Sequence, residues 1–238
     1  SRYDTWISQY LAGGTAFPET ASITVRKRQP LRYGENPHQR GAWYVPDAGP
    51  VWGLATLTQQ QGKELSYNNL LDLDAALRCL LDLGEPACAI VKHHTLCGLA
   101  CAATVQQAYE RAVACDEEAA FGGMVGCNRP IDAALAERLA ATFLEVIMAP
   151  TVEPAAAERL RRKRNLRVVT LEWPRSLAAG LEWRQLSGSW LLQEPDAATL
   201  EASSLRVVSR RQPTEEERRD LLFAWIAAKH VQSNGVVL

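Results

Sequence analysis

The feature that most constrains this chain is a rhythm of short apolar runs alternating with capped helical segments. A strand covered on both faces reads as a continuous apolar stretch, and a helix reads as a 3.6-residue repeat opened by a capping residue. Ala87 to Val91 is such an apolar run, and Gly122 to Cys127 reads as a second buried strand. Val146 to Met148 and Arg167 to Leu171 are further strands. Between them lie an amphipathic helix from Leu70 to Leu83 closed by Gly84, and a helix to about Cys115 opened by a Thr104–Gln107 capping box. Asp132 is placed to cap a third helix running to Glu145, and a fourth begins after Pro154. This alternation predicts an α/β fold of three layers, α/β/α.

Outside that block the pattern is looser. Tyr3 to Leu11 has helical spacing, with Trp6, Ile7 and Leu11 on one side and Gly13-Gly14 as its stop, as expected of a docking helix or linker. A basic, proline-interrupted stretch runs from Arg26 to Arg40. Strand-like runs recur near Trp183 and from Trp190 to Leu192. Thr214 and Glu217 then form a capping box for a long helix whose apolar side is read as Leu221, Leu222, Trp225 and Ala228. The start at Ser1 and the final Gly235-Val236-Val237-Leu238, which reads as the opening of a buried strand, predict that the chain is a piece of something longer.

Several function classes are disfavoured. A net charge of −1 across 238 residues provides no global attraction for nucleic acid or an acidic membrane, although local basic clusters can still hold a phosphate. Neither a membrane-length apolar run nor a signal-peptide pattern is visible, so the expected compartment is the cytoplasm. The six cysteines form no CxxC pair and mostly have apolar neighbours, which predicts reduced, small core side chains. No GxGxxG follows a strand, which argues against a dinucleotide oxidoreductase.

Four segments carry groups suited to chemistry. Lys92 and His93 stand where a buried strand ends, and since neighbours on a regular strand face opposite ways, they can serve one site only if the strand stops or bulges there. The loop from Arg32 to Gln39 is polar, with turns at Gly34 and Pro37 and an arginine able to fork onto a phosphate. Asn68 and Asn69 precede a helix that one of them is expected to cap, and Phe121-Gly122-Gly123 would let a ligand approach the backbone. Each of these has a plain structural use as well.

Taken in order, the segments resemble the AICAR transformylase domain of the bifunctional purine-biosynthesis enzymes that also carry IMP cyclohydrolase. The resemblance runs from Tyr3-Asp4 through RYGENPHQ at Arg32 to Gln39, GKELSYNNLLDLDAA at Gly62 to Ala76, and VKHxxxCG at Val91 to Gly98. It continues with AFGG at Ala120 to Gly123, NRP at Asn128 to Pro130, EVIMAP at Glu145 to Pro150, and AW…KHVQSN at Ala224 to Asn234. It implies two cytidine-deaminase-like units without the HxE and PCxxC zinc signature. The implied division is a linker helix over 1–23 following an absent cyclohydrolase domain, a first unit over 24–200, and the beginning of a second over 201–238.

The implied reaction moves a formyl group from 10-formyltetrahydrofolate to the 5-amine of AICAR. His93 matches the family's proton acceptor, Lys92 the lysine that stabilises charge on the formyl oxygen, and Asn234 the asparagine that orients histidine and nucleotide. Arg32 and Tyr33 match residues that hold the AICAR phosphate and base, and Asn69, Gly122 and Glu145 fall at further nucleotide contacts. The resemblance also implies a homodimer, a potassium ion near the nucleotide whose ligands this sequence leaves unassigned, and no zinc. An alternative is a truncated or divergent relative that binds purine nucleotide or dimerises without turnover.

Two local departures stand out. Thr95-Leu96 replaces the family's usual Asn-Pro or Ser-Pro pair, and the lost proline is expected to loosen the turn carrying Lys92 and His93. Asp116 to Ala120 replaces DPxSA and lacks its hydroxyl.

Overall fold

The computed structural model describes residues 2–11, 17–47, 51–174, 181–231 and 235–237, without the side chains of residues 2, 5, 6, 8 and 9. Helix α1 covers Arg2–Leu11; strands β1 (Val25–Leu31) and β2 (Gly41–Pro46) form an antiparallel ribbon. A single 3-10 turn at Gly53–Thr56 leads into β3 (Thr58–Gln61) and α2 (Tyr67–Leu81). Then come β4 (Ala87–Lys92), β5 (Thr95–Cys101), α3 (Val105–Cys115), the short α4 (Glu117–Ala120), β6 (Met124–Cys127) and α5 (Ala133–Ala141). The series continues with β7 (Val146–Ala149), α6 (Pro154–Leu160) and β8 (Arg167–Thr170). A hairpin of β9 (Glu182–Leu186) and β10 (Ser189–Gln193) and the long α7 (Glu215–Lys229) follow.

Six strands make one mixed sheet in the order β3-β8-β7-β6-β4-β5. β6, β7 and β8 run parallel, whereas β4 is antiparallel to both β5 and β6, and β3 is antiparallel to β8. The period of two divides the central strands cleanly between two cores. Ala87, Ala89, Val91, Met124, Val146, Met148 and Val169 face α2, where Leu73, Ala76, Leu77 and Leu80 are buried. Cys88, Ile90, Val125, Cys127, Ile147 and Val168 face the opposite layer of α3, α5 and α6. This is the expected three-layer α/β/α arrangement, and the apolar runs lack alternation because both faces are covered.

Two glycines set the spacing of the layers. A Cβ on Gly98 would lie 2.1 Å from the Ala112 carbonyl oxygen, so only glycine lets α3 lie against β5 this closely. At Gly62, with φ +95°, a Cβ would meet the Leu166 oxygen at 2.2 Å, where the entry to α2 crosses the entry to β8.

Several boundaries differ from those read in the sequence. α2 starts three residues earlier, at Tyr67, because Ser66 and Asn69 form a reciprocal capping box; it ends at Leu81 with Asp82 as C-cap. The Thr104 hydroxyl accepts from the Gln107 amide, which is one half of the box expected there. α5 ends at Ala141 instead of reaching Glu145: the Phe143 carbonyl accepts from Gly122 N and the Glu145 amide donates to the Gly123 carbonyl. Those cross-links take backbone groups that a longer helix would have used, and the same cross-links delay β6 to Met124.

Thr214 and Glu217 do make a full capping box for α7. The side of α7 that packs, however, is Phe223, Ile226 and Ala227; Leu221 and Ala228 are exposed. Of the six cysteines, all unpaired, Cys79, Cys88 and Cys127 are buried as expected, Cys97 and Cys101 are half-buried, and Cys115 is exposed. Burial pushes the Cys101 thiol up to about 11. Among the described residues no helix is long and apolar enough to cross a membrane.

Candidate active site

Strand β4 ends at Lys92 and turns into β5 through His93 and His94 alone, with Lys92 paired to Thr95 across the hairpin. Both histidines hold positive φ, 53° and 63°, as a tight hairpin turn with two left-handed central residues requires. That conformation costs a non-glycine residue about 1–2 kcal/mol. The sequence condition for Lys92 and His93 to share a site is therefore met twice: the strand stops at Lys92, and the β4–β5 register slips between Ile90 and Val91, where Cys97 is the extra residue on β5.

The missing proline does not leave an irregular loop. Thr95 and Leu96 are the first residues of β5 and pair with Lys92 and Val91, and a proline at 96 would have had no amide to give to a ladder. The turn is held from outside as well. Asp72, on the second turn of α2, accepts the His94 amide at its Oδ1, 2.8 Å away. Burial raises the Asp72 carboxyl above its ordinary value, against the lowering effect of that same bond and of the two histidines.

Lys92 reaches across the sheet end to the next feature. Its Nζ donates to the Phe121 carbonyl at 2.9 Å, directly before Gly122, which is left-handed at φ +73°. Gly122 N in turn donates to the Phe143 carbonyl at 2.9 Å, and Glu145 N to the Gly123 carbonyl at 3.1 Å. The Glu145 carboxylate accepts from Asn69 Nδ2 at 3.2 Å and faces Arg167 Nη1 at 4.0 Å. Arg167 is itself steadied by donation of Nε to the Glu64 carbonyl at 2.9 Å. Asn69, only 4% exposed, serves both structure and site, since its Oδ1 accepts the Ser66 amide at 3.1 Å while its Nδ2 holds Glu145.

Five of the expected residues are thus linked in one region: Lys92, His93, Gly122, Glu145 and Asn69. They gather where β4 ends and β6, β7 and β8 begin, beside the N-terminus of α2. Arg32 and Tyr33 are on the loop after β1. Arg32 lies over the Tyr33 ring, 5.6 Å from its centroid, and the loop is closed by Gly34 N donating to the Gln39 carbonyl at 2.8 Å. Asn68 Nδ2 donates to the Glu35 carbonyl at 3.4 Å, which ties the loop to the start of α2. Among the described residues no hydrogen bond joins Arg32 or Tyr33 to Lys92, His93 or Glu145. Asn234 lies outside the described residues.

His230 belongs elsewhere. It caps α7 and meets Asp82 Oδ2 at 2.7 Å, with Lys229 Nζ on the same oxygen at 2.9 Å, at the C-terminal end of α2. Sequence reasoning did not single out Asp72 or Arg167. Asn69, Asp72, Leu73 and Ala76 fall at i, i+3, i+4 and i+7 on one helix stripe, so a carboxylate interrupting an apolar face was the available signal for Asp72. Arg167 opens a strand of β-branched residues and carried no such signal.

Comparison with known proteins bears on this arrangement. The whole chain, residues 1–238, matches the family described as AICARFT/IMPCHase bienzyme. It is 45% identical over 241 aligned residues to proteins named "Bifunctional purine biosynthesis protein PurH" from two strains of Cereibacter sphaeroides. The match takes in 99% of this chain and 45% of each relative, so the chain spans under half the length of the curated relatives it matches. Among solved structures, the RibD of Acinetobacter baumannii is similar at a TM-score of 0.32 and 18% identity over 46% of this chain and 35% of that one. A likeness that slight carries no argument about this fold.

Proposed function

The chain belongs to the AICARFT/IMPCHase bienzyme family, and from that premise we propose that the Lys92–His93 turn is the catalytic centre for transfer of a formyl group to the 5-amine of AICAR in purine synthesis. The observation that supports this reading is the convergence on one sheet end of the Lys92–His93 pair with Asn69, Gly122 and Glu145, drawn from separate segments of the chain; the resemblance is what assigns these residues to a site.

In this reading the amine nitrogen of AICAR attacks the formyl carbon of 10-formyltetrahydrofolate. That nitrogen is delocalised into the imidazole ring and carboxamide, so it becomes a competent nucleophile only as its proton leaves. The His93 imidazole accepts that proton. Negative charge builds on the formyl oxygen as the tetrahedral species forms, and the Lys92 ammonium offsets it. The bond from the formyl carbon to N10 then breaks, N10 takes up a proton, and formyl-AICAR and tetrahydrofolate leave. Arg32 and Tyr33 bind the phosphate and base, Asn69 and Glu145 supply amide and carboxylate contacts to the nucleotide, and Gly122 allows close approach to the backbone. Asn234 orients the histidine and nucleotide. The homodimer and the folate surface implied by the resemblance belong to the same proposal.

Calorimetric titration with AICAR, beside an Arg32→Ala variant, tests the nucleotide half of the site. Loss of a charge-assisted contact to phosphate is expected to weaken binding about tenfold to a hundredfold. Equal affinity of the two proteins would remove Arg32 from the site, and no binding by either would contradict the nucleotide assignment.

A further inference from the structure

The turn that presents His93 is built from residues that resist its conformation. Among the described residues, His93 and His94 are the two non-glycine positions with positive φ, and they are adjacent. The β4–β5 ladder ends at the Lys92–Thr95 pair just below them, and β5 is an edge strand, so the sheet restrains the turn from one side alone. Within the turn the Thr95 hydroxyl reaches the His93 carbonyl only at 3.5 Å, and the short restraint from outside the hairpin is Asp72, whose Oδ1 takes the His94 N–H at 2.8 Å.

Asp72 is placed so that it cannot drift. It precedes Leu73, which is fully buried, and Ala76, Leu77 and Leu80 further along α2 are packed onto the sheet. One turn earlier the helix is pinned by the Ser66–Asn69 box and by the Asn69 bond to Glu145. The ionisable groups around the Asp72 carboxylate are His93, His94 and Glu145.

We propose that Asp72 is the positioning residue of this site, the acceptor that locks the His94 amide, holds the left-handed turn, and so aims the His93 side chain beside Lys92. This rests on the formyl-transfer reading above. Asp72 touches none of the reacting atoms; it acts through the backbone of His94. The role asks for an oxygen acceptor and not for a negative charge, so asparagine satisfies it through its amide oxygen. It also follows that glycine at 94, which adopts positive φ without a Cβ clash, makes the lock dispensable.

The test is carried out in the protein carrying this chain. Asp72→Ala, Asp72→Asn and the double variant Asp72→Ala/His94→Gly are compared with wild type for transfer kcat, KM for AICAR, and hydrogen exchange of the His94 amide. Asp72→Ala is expected to lose His94 protection and to lower kcat about tenfold to a hundredfold, the scale of a misplaced catalytic group, with KM near the wild-type value. Asp72→Asn keeps protection and kcat within about threefold, since the acceptor survives. The double variant recovers most of the lost kcat without recovering the protection.

Unchanged kcat in Asp72→Ala, a defect as large in Asp72→Asn, or no recovery in the double variant would each overturn the proposal. Should Asp72→Ala unfold, Asp72→Leu, similar in size and without an acceptor, makes the same comparison on an apolar helix stripe. A wild-type protein with no formyl transfer would overturn the functional reading and with it the role of Asp72, whereas persistent His94 protection would show the lock to exist apart from that reading.

Discussion

Among the described residues two hairpins reverse direction in two residues, and they meet the same backbone demand in opposite ways. Between β9 and β10 the turn is Ser187-Gly188, and glycine takes the left-handed position at φ +80° with nothing within 4 Å of where a Cβ would stand. Between β4 and β5 the turn is His93-His94, and two imidazole-bearing residues take left-handed positions that glycine or asparagine would occupy at lower cost. The first hairpin is fastened by an edge contact of Trp183 and Trp190 and by the Arg78–Glu182 pair, which reach no candidate site residue. The second is fastened by Asp72 on a packed helix and by Lys92 on the Phe121 carbonyl. Glycine thus stands where only geometry matters and histidine where the geometry is costly, and under the formyl-transfer proposal that cost is the one of placing the His93 side chain.

That contrast can be broken in three ways, taken from the largest expected effect downward. Lys92→Ala is expected to lower transfer by about a hundredfold to a thousandfold, the cost of losing one donor to a developing oxyanion, while thermal unfolding stays near that of wild type. Loss of stability with retained transfer would make Lys92 a structural tether of the 121–123 segment. Gly188→Ala is expected to cost about 1 kcal/mol through its positive φ, seen in urea unfolding, with no change in transfer; an effect on transfer would mean that the two hairpins are not independent.

The smallest effect concerns pH. The Asp72 carboxyl is raised in the folded state, chiefly by burial, so the folded protein binds that proton more tightly than the unfolded chain. Ionised Asp72 therefore costs stability at neutral pH, and the cost is relieved as pH falls through the folded-state value. Asp72→Asn, with no proton to lose, should be more stable than wild type at neutral pH. Its advantage should shrink toward zero below the ordinary carboxyl value of 3.8. An advantage that grows on acidification would reverse the sign of this account.

Much of the architecture was legible because burial on both faces leaves a plain mark. β4, β6, β7 and β8 were found from apolar runs, and α5, α6 and α7 from their capping residues or first-turn proline. β1 was passed over because Arg26, Lys27, Arg28 and Pro30 suit a solvated loop, although an exposed two-stranded ribbon tolerates them. β3, with the sequence Thr-Gln-Gln-Gln, is an edge strand whose polarity hides it. β5 carries no clear strand signal because Gly98 interrupts it, and that glycine is there to admit the Ala112 carbonyl.

The site residues were placed by resemblance, not by periodicity. What no pattern in the sequence could supply was their wiring, since Asn69 to Glu145 and Lys92 to Phe121 are contacts between segments 76 and 29 residues apart. Asp72 lies within the 62–76 segment with no side-chain partner to mark it, because what it binds is a backbone amide that any residue at 94 other than proline would offer.

The measurement that tests the central claim most directly is the formyl-transfer rate of His93→Ala, in the protein carrying this chain, with and without added imidazole. The rate is predicted to fall by about a hundredfold to ten-thousandfold, the usual contribution of a general base, and to recover in part as imidazole is supplied. Transfer at the wild-type rate without imidazole would contradict the assignment of His93 as the proton acceptor and with it this account of the strained turn.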